Sequence, residues 1–300
     1  MSVLENFHYQ ISGLTASVDN RPMKRLVFLH GVMGFGSNFR SISKHFEDRY
    51  QILLYDQRGH GRSFQPQSTP GSGYQMEDYS RDLFEILKEL GWSQIDLVGH
   101  SMGGRVAAQF ASEHPEIVTR LVVEDIGPSM PKVASSLILR ILDTVPVPFA
   151  DKRAAKAWFE KDFLELFKDE FKVRGLASFL YASITENSKK EAVWRFSPAA
   201  IRESVVEGRE WQGWQEIQSL HCPTLLIRGE FSHDLPRDLF ELMLEANPVI
   251  EGVEIKGSAH WIHADQPEVF ARCLDRFFNG DRQEVDEHTE PVRIVHSRGL

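Results

Sequence analysis

Gly99-His100-Ser101-Met102-Gly103 sets a serine midway between two glycines. The apolar run Ile95–Val98 precedes it, and a small-residue-rich helical stretch, Met102–Ser112, follows. A strand-turn-helix bend of this kind lifts a hydroxyl above the carboxyl edge of a sheet, with backbone amides aimed at the same spot. Glycines suit the bend because the neighbouring backbone comes too close for side chains. A glycine-rich turn with a helix-capping serine would read the same way. The partners decide. A serine hydroxyl attacks a carbonyl only when a base removes its proton.

His260 is the first candidate for that base. It lies in Gly257-Ser258-Ala259-His260-Trp261-Ile262-His263, after the last strand-like run, Val253–Ile255, and before the last helical one. A loop there shares the carboxyl edge with Ser101. His263, the second candidate, is expected to make a local hydrogen bond instead. His260 and His263 lack a third metal ligand nearby, so no metal site is expected.

A carboxylate must orient the imidazole and stabilise its charged form. Three acids keep the chain order serine, acid, histidine. Asp125 ends the run Leu121–Val123 and lies beside the elbow strand; Glu230 and Asp234 lie in the loop after Thr224–Ile227. In that later loop Ser232 stands where an aspartate would be expected. Asp125 ranks first, and Glu124 should point to the opposite side.

His30-Gly31-Val32-Met33-Gly34 follows the first parallel strand. The Val32 and Met102 backbone N–H groups are candidates for an oxyanion site, where each donor is worth about 3–4 kcal/mol of barrier lowering. The His30 side chain is expected to be structural rather than catalytic. With His100 and Trp261 it is also a candidate substrate contact. Asp56-Gln57-Arg58-Gly59-His60-Gly61-Arg62-Ser63 reads as a tight turn buttressing the site, since its spacing matches no phosphate-binding loop.

These residues need a scaffold. Short apolar runs at Leu26–Leu29, Ile52–Tyr55, Ile95–Val98, Leu121–Val123 and Thr224–Ile227 read as strands covered on both faces. Helical patterns between them, such as Met76–Leu90, imply a doubly wound α/β sheet. Alternation over Phe7–Ser12 and Leu14–Val18, before the turn Asn20-Arg21-Pro22, suggests an antiparallel pair at the N-terminus. From Ser129 to Cys222 no strand stands out, and aromatic, amphipathic sequence fills the interval. That length exceeds a plain connection. The expected division is a core of residues 1–128 and 223–280, a helical cap over 129–222, and a frayed polar tail over 281–300.

Composition agrees with an ordinary soluble globular protein. The 300 residues carry 34 Lys and Arg against 43 Asp and Glu, a formal charge of −9, which argues against a broad nucleic-acid-binding face. No apolar stretch is long enough to span a membrane. Two cysteines, Cys222 and Cys273, cannot build a disulfide framework, so a cytoplasmic setting is expected. Oligomeric state is not readable.

Together the His-Gly loop, the Asp-x-Arg-Gly-His-Gly-x-Ser turn, the elbow and the late histidine resemble the α/β-hydrolase superfamily over about residues 7–279. Val123-Glu124-Asp125-Ile126-Gly127-Pro128, Ser232 and His260-Trp261-Ile262-His263-Ala264 are similar to the branch of small bacterial esterases and acyl-CoA thioesterases with related animal mitochondrial hydrolases. Glu230-Phe231 departs from the glycine-rich residues often found there. The resemblance implies an acid matching Asp125 and cofactor-free cleavage of small acyl esters or thioesters through an acyl-enzyme. It also implies a helical cap over Ser101, whose aromatics either line an acyl pocket or simply pack helix against helix. An acyl-CoA substrate would want cations at the mouth, for which Lys132, Arg140 and Arg195 are available. The competing activities on the same fold are carbon–carbon hydrolysis, perhydrolysis or a lyase step. A non-enzymatic ligand receptor is a third class.

Overall fold

The computed structural model describes residues 2–16, 22–66, 73–129, 132–283 and 285–292, without side-chain detail at 132–135 and 207–210. Its strands are β1 (Tyr9–Gly13), β2 (Arg25–Leu29), β3 (Gln51–Tyr55), β4 (Ile95–His100), β5 (Val118–Glu124), β6 (Ile184–Glu186), β7 (Ala192–Trp194), β8 (Thr224–Gly229), β9 (Ile250–Ile255) and β10 (Thr289–Val292). Eight of them form one sheet in the order β1-β3-β2-β4-β5-β8-β9-β10. The six inner strands are parallel, as the apolar runs predict, and β1 and β10 close the edges antiparallel. The antiparallel N-terminal pair joins β1 to β3, with Tyr9 opposite Tyr55; Leu14–Ala16 form no strand, and residues 17–21 lie outside the described set.

Helices follow the strands. Ahead of the insertion lie α1 (Arg40–Ser43), α2 (Met76–Leu90) and α3 (Met102–Glu113). Between β5 and β8 come α4 (Lys132–Thr144), α5 (Lys152–Glu160), α6 (Asp162–Leu166), α7 (Val173–Ala182), α8 (Pro198–Glu210) and α9 (Trp214–Gln218). The chain ends its helices with α10 (Arg237–Ala246), α11 (Ile262–Asp265) and α12 (Pro267–Asn279). Successive strand residues face opposite sides of a sheet. Val27, Leu29, Leu97 and Leu121 therefore pack with Leu83 of α2, Phe110 of α3 and Phe240 of α10. Leu26, Phe28, Val98 and Val122 pack with Ile42 of α1 and Phe270 and Leu274 of α12.

The segment between β5 and β8 carries its own apolar cluster, built on Ile141, Phe159, Phe163, Leu180 and Trp194, with Met33 from the β2 loop reaching into it. It is not purely helical: β6 and β7 pair antiparallel. Strands of three residues leave too short an alternation to be read in sequence. The expectation of a frayed tail fails at Thr289–Val292, which pairs with Gly252–Ile255 of β9. Edge pairing is made by backbone groups, so polar side chains do not prevent it. Residues 284 and 293–300 lie outside the described set.

Candidate active site

β2 is followed by a strand on one side of it and later by β4 on the other, so the winding direction reverses between β2 and β4. Open α/β sheets bind ligands in the crevice beyond the strand carboxyl ends at such a point. The His-Gly loop leaves β2 there, and Ser101 leaves β4. Ser101 has φ 54° and ψ −124°, a left-handed bend that non-glycine residues rarely adopt. Its backbone is fixed by a bond from Ser101 N–H to the Glu124 carbonyl at 3.0 Å, and its own carbonyl accepts from Gly104 N–H at 2.8 Å. A Cβ at Gly31 would lie 2.9 Å from Ser101 Cβ, so the two loops touch.

A cavity of about 430 Å³ opens at this crevice, lined by Ser101, His260, Val32, His100 and Trp261 among others. Its walls are mostly aliphatic, from Leu137, Ile138, Ile141, Leu176 and Leu180 of the inserted segment. Among the described residues of the segment, Phe171 is the one aromatic that lines it; Phe149, Phe159, Phe163, Phe167, Trp194 and Phe196 pack within the inserted segment instead. Only Phe159 and Phe163 of these sit on helices; the others pack into the same cluster from the hairpin and the connecting turns.

His260 Nδ1 donates to Asp125 Oδ2 at 2.9 Å and lies 3.5 Å from Asp234 Oδ2. Asp125 is wholly buried with φ 53°, accepts Gly229 N–H at 2.9 Å, and takes a further bond from the Ser232 hydroxyl. Glu230, the third sequence candidate, turns to Gly257 N–H at 2.8 Å. Burial pushes the Asp125 carboxyl up to about 6, opposed by its bonds from His260 and Ser232. Burial would lower the His260 imidazole, but the charges of Asp234, Asp125 and Glu124 outweigh it and raise it to about 9. An imidazole flanked this way is a base whose charged form is welcome. Ser101 Oγ makes no hydrogen bond among the described residues and opens on the cavity beside it.

Glu124 lies on the opposite side from Asp125 and bonds His263; the hydrogen bond of His263 is therefore not the local one expected but reaches a distant strand end. His100, Glu124 and His263 bring three metal-type ligands together, as do Asp125, Asp234 and His260. In the first group His263 bonds Glu124, and in the second His260 bonds Asp125. His100 Nε2 donates to the His260 carbonyl at 2.8 Å, tying the elbow to the histidine loop.

His30 is a correction. Its Nδ1 donates to the Gly31 carbonyl and its Nε2 accepts Gln57 N–H at 3.0 Å, so it faces the neighbouring turn and not the cavity. Buried, its imidazole falls to about 4 and stays neutral as that acceptor role requires. The Asp56 turn braces the same loop: its carboxylate takes Gly36 N–H at 2.8 Å and Arg62 N–H at 2.9 Å. Met102 opens α3, where an N–H has no acceptor within the helix. Of the candidate cations, Arg140 lines the cavity but is engaged by Glu170 at 3.7 Å and by the Leu166 carbonyl. Arg195 instead covers the Phe35 ring at 4.6 Å, and the Lys132 side chain lies outside the described set. Sequence reading missed the Ser232–Asp125 bond, and it set Asp125 and Asp234 as alternatives where both approach His260 Nδ1; each depends on one loop folding back onto another.

A family model described as alpha/beta hydrolase fold matches residues 24–267. A Danio rerio protein named sn-1-specific diacylglycerol lipase ABHD11 is 32% identical over 257 residues, covering 84% of this chain and 77% of that one. Esterase YbfF of Escherichia coli (strain K12) is 24% identical, covering 85% and 92%. Among solved structures, a marine microorganism esterase superposes with a TM-score of 0.73 at 24% identity, covering 91% of this chain and 99% of that one. E-2-(acetamidomethylene)succinate hydrolase gives 0.76 at 20% identity, covering 91% and 95%.

Proposed function

The chain belongs to the alpha/beta hydrolase fold family, and on that premise we propose that it is a serine hydrolase cleaving small carboxylic esters or acyl thioesters. The observation that carries this reading is the contact of His260 with Asp125 at the rim of the cavity that Ser101 enters from a strained bend. Strain held at a single residue in this way belongs to sites where a group must be presented.

In this reading His260 Nε2 takes the Ser101 proton as Oγ attacks the acyl carbonyl, while Nδ1–H stays with Asp125. The Val32 and Met102 N–H groups receive the developing oxyanion. The Nε2 proton then passes to the departing alkoxide or thiolate. Water, deprotonated by the same nitrogen, releases the acid and restores Ser101. The aliphatic wall favours an apolar acyl group. The two buried, unpaired cysteines suit a reducing cytoplasm, the setting we propose.

Ser101→Ala should abolish turnover of p-nitrophenyl butyrate, and a fluorophosphonate probe should label Ser101 alone, as mapped by mass spectrometry. Retained turnover in the alanine variant refutes the reading.

A further inference from the structure

Resting on the serine-hydrolase reading, we propose that Asp234 is a second acid of this site, sharing the Nδ1 proton of His260 with Asp125 and able to orient the imidazole when Asp125 is neutralised. The two carboxylates reach the same ring nitrogen from different elements. Asp125 comes from the end of β5 at 2.9 Å, and Asp234 from the loop between β8 and α10 at 3.5 Å. The shorter contact sets direction; the longer one contributes mainly charge.

Asp234 is not a stray surface acid. Its backbone N–H donates to Ser232 Oγ at 3.1 Å, and the same hydroxyl donates to Asp125 Oδ2. One serine therefore braces the Asp125 carboxylate and the Asp234 backbone. Asp125 is wholly buried and spends its other oxygen on Gly229 N–H. Asp234 keeps 19% of its side chain exposed and lines the cavity. It thus has freedom to close the remaining gap, which Asp125 lacks.

The titratable and charged groups facing the imidazole are Asp125, Asp234 and Glu124, with His100 from β4 and His263 from α11. Arg105 is near enough to Asp234 to feel its charge, and Arg140, Glu170 and His233 share the cavity. Against the lowering effect of burial, Asp234 is the largest influence raising His260. In turnover Asp234 takes no proton. The Ser101 proton moves to Nε2 and onward to the leaving group, while Nδ1–H stays on the ring between two carboxylates.

Ring ¹H–¹⁵N resonances of His260, titrated in the full chain and in Asp234→Asn, test the charge directly. Its pKa should fall in the variant by about 1 unit or more. Kinetics with p-nitrophenyl butyrate test the substitution of one acid by the other. Asp125→Asn should cost about 10²-fold in kcat/KM, and the double variant with Asp234→Asn about 10⁴-fold, the loss expected of a triad without its acid. An unmoved His260 titration overturns the proposal, as does a full 10⁴-fold loss in Asp125→Asn to which the second change adds nothing. If Asp125→Asn does not fold, the titration of Asp234→Asn decides alone. Ester turnover surviving in Ser101→Ala would instead sink the serine-hydrolase reading, while the titration would still report on Asp234.

Discussion

One oxygen of Glu124 takes two hydrogen bonds from His263, from the backbone N–H at 2.9 Å and from Nδ1 at 2.8 Å. The next residue, Asp125, holds His260. Two consecutive acids at the end of β5 thus grip two histidines three residues apart, and the loop entering α11 is pinned on both sides. Both acids are fully buried, so neither bond competes with water.

Glu124→Gln keeps the shape of this clasp but removes its charge. Hydrogen bonds to charged groups contribute about 1.5–3 kcal/mol, and the variant should lose about that much stability. The His260 loop would then be less firmly placed, so kcat should fall more than KM rises. Chemical denaturation alongside ester kinetics checks both. Wild-type behaviour in each would mean the clasp contributes nothing.

The charge around His260 also fixes the pH dependence. On the proposed serine-hydrolase reading, only the neutral imidazole can accept the Ser101 proton, and kcat/KM should follow its fraction in the free enzyme. With His260 raised to about 9, activity should climb through the alkaline range and reach half its plateau near that pH, instead of near the ordinary value of 6.5. A kcat/KM profile on a hydrolytically stable substituted phenyl ester measures it. A half-maximum near 6.5 would show that the surrounding carboxylates do not hold the proton.

The elbow tolerates no side chain at its first glycine. A Cβ on Gly99 would sit 2.2 Å from the Gly103 carbonyl oxygen, and one on Gly103 would sit 2.4 Å from that of Leu29. Both obstacles are backbone, so the strand-helix crossing itself must open. Gly99→Ala should cost at least about 3 kcal/mol, the upper end for overpacking, and should lower soluble yield. Thermal unfolding of whatever folds provides the measurement; a stability within about 1 kcal/mol of wild type would contradict the close approach.

Such local constraints explain what could be read in advance. The glycines around Ser101 and the apolar runs of β2, β4, β5 and β8 act within a few residues, so their signature survives in the chain. His260 was legible because it follows the last parallel strand. Asp125 was only one of three acids, because the choice depends on which carboxylate reaches across from another strand. Ser232 and Asp234 became informative once the β8–α10 loop lay against β5. β10 and the β6–β7 hairpin escaped notice because edge pairing uses backbone groups and leaves little pattern in side chains. His30 was misplaced for the opposite reason: its neighbourhood to the site in sequence was real, but its ring turns to Gln57.

The cavity wall makes the last prediction. Leu137 of α4 is half-buried and lines the cavity with Ile138 and Ile141, while Phe171 and Phe231 meet in a tilted pair at 4.5 Å beside it, one from the inserted segment and one from the β8–α10 loop. An acyl chain lying along this wall gains about 0.8 kcal/mol for each methylene it buries. Leu137→Trp would fill part of the cavity from a half-buried position, where the added bulk strains the fold less than it would in the closed core. Short acyl groups should still fit; long ones should lose several methylenes of contact. The ratio of kcat/KM for p-nitrophenyl hexanoate to that for the acetate should fall at least about tenfold, equivalent to about 1.4 kcal/mol. Holding the leaving group constant confines the comparison to the acyl side. An unchanged ratio, with acetate turnover intact, would place the acyl chain along a different wall and leave the aliphatic face of α4 to the alcohol or thiol.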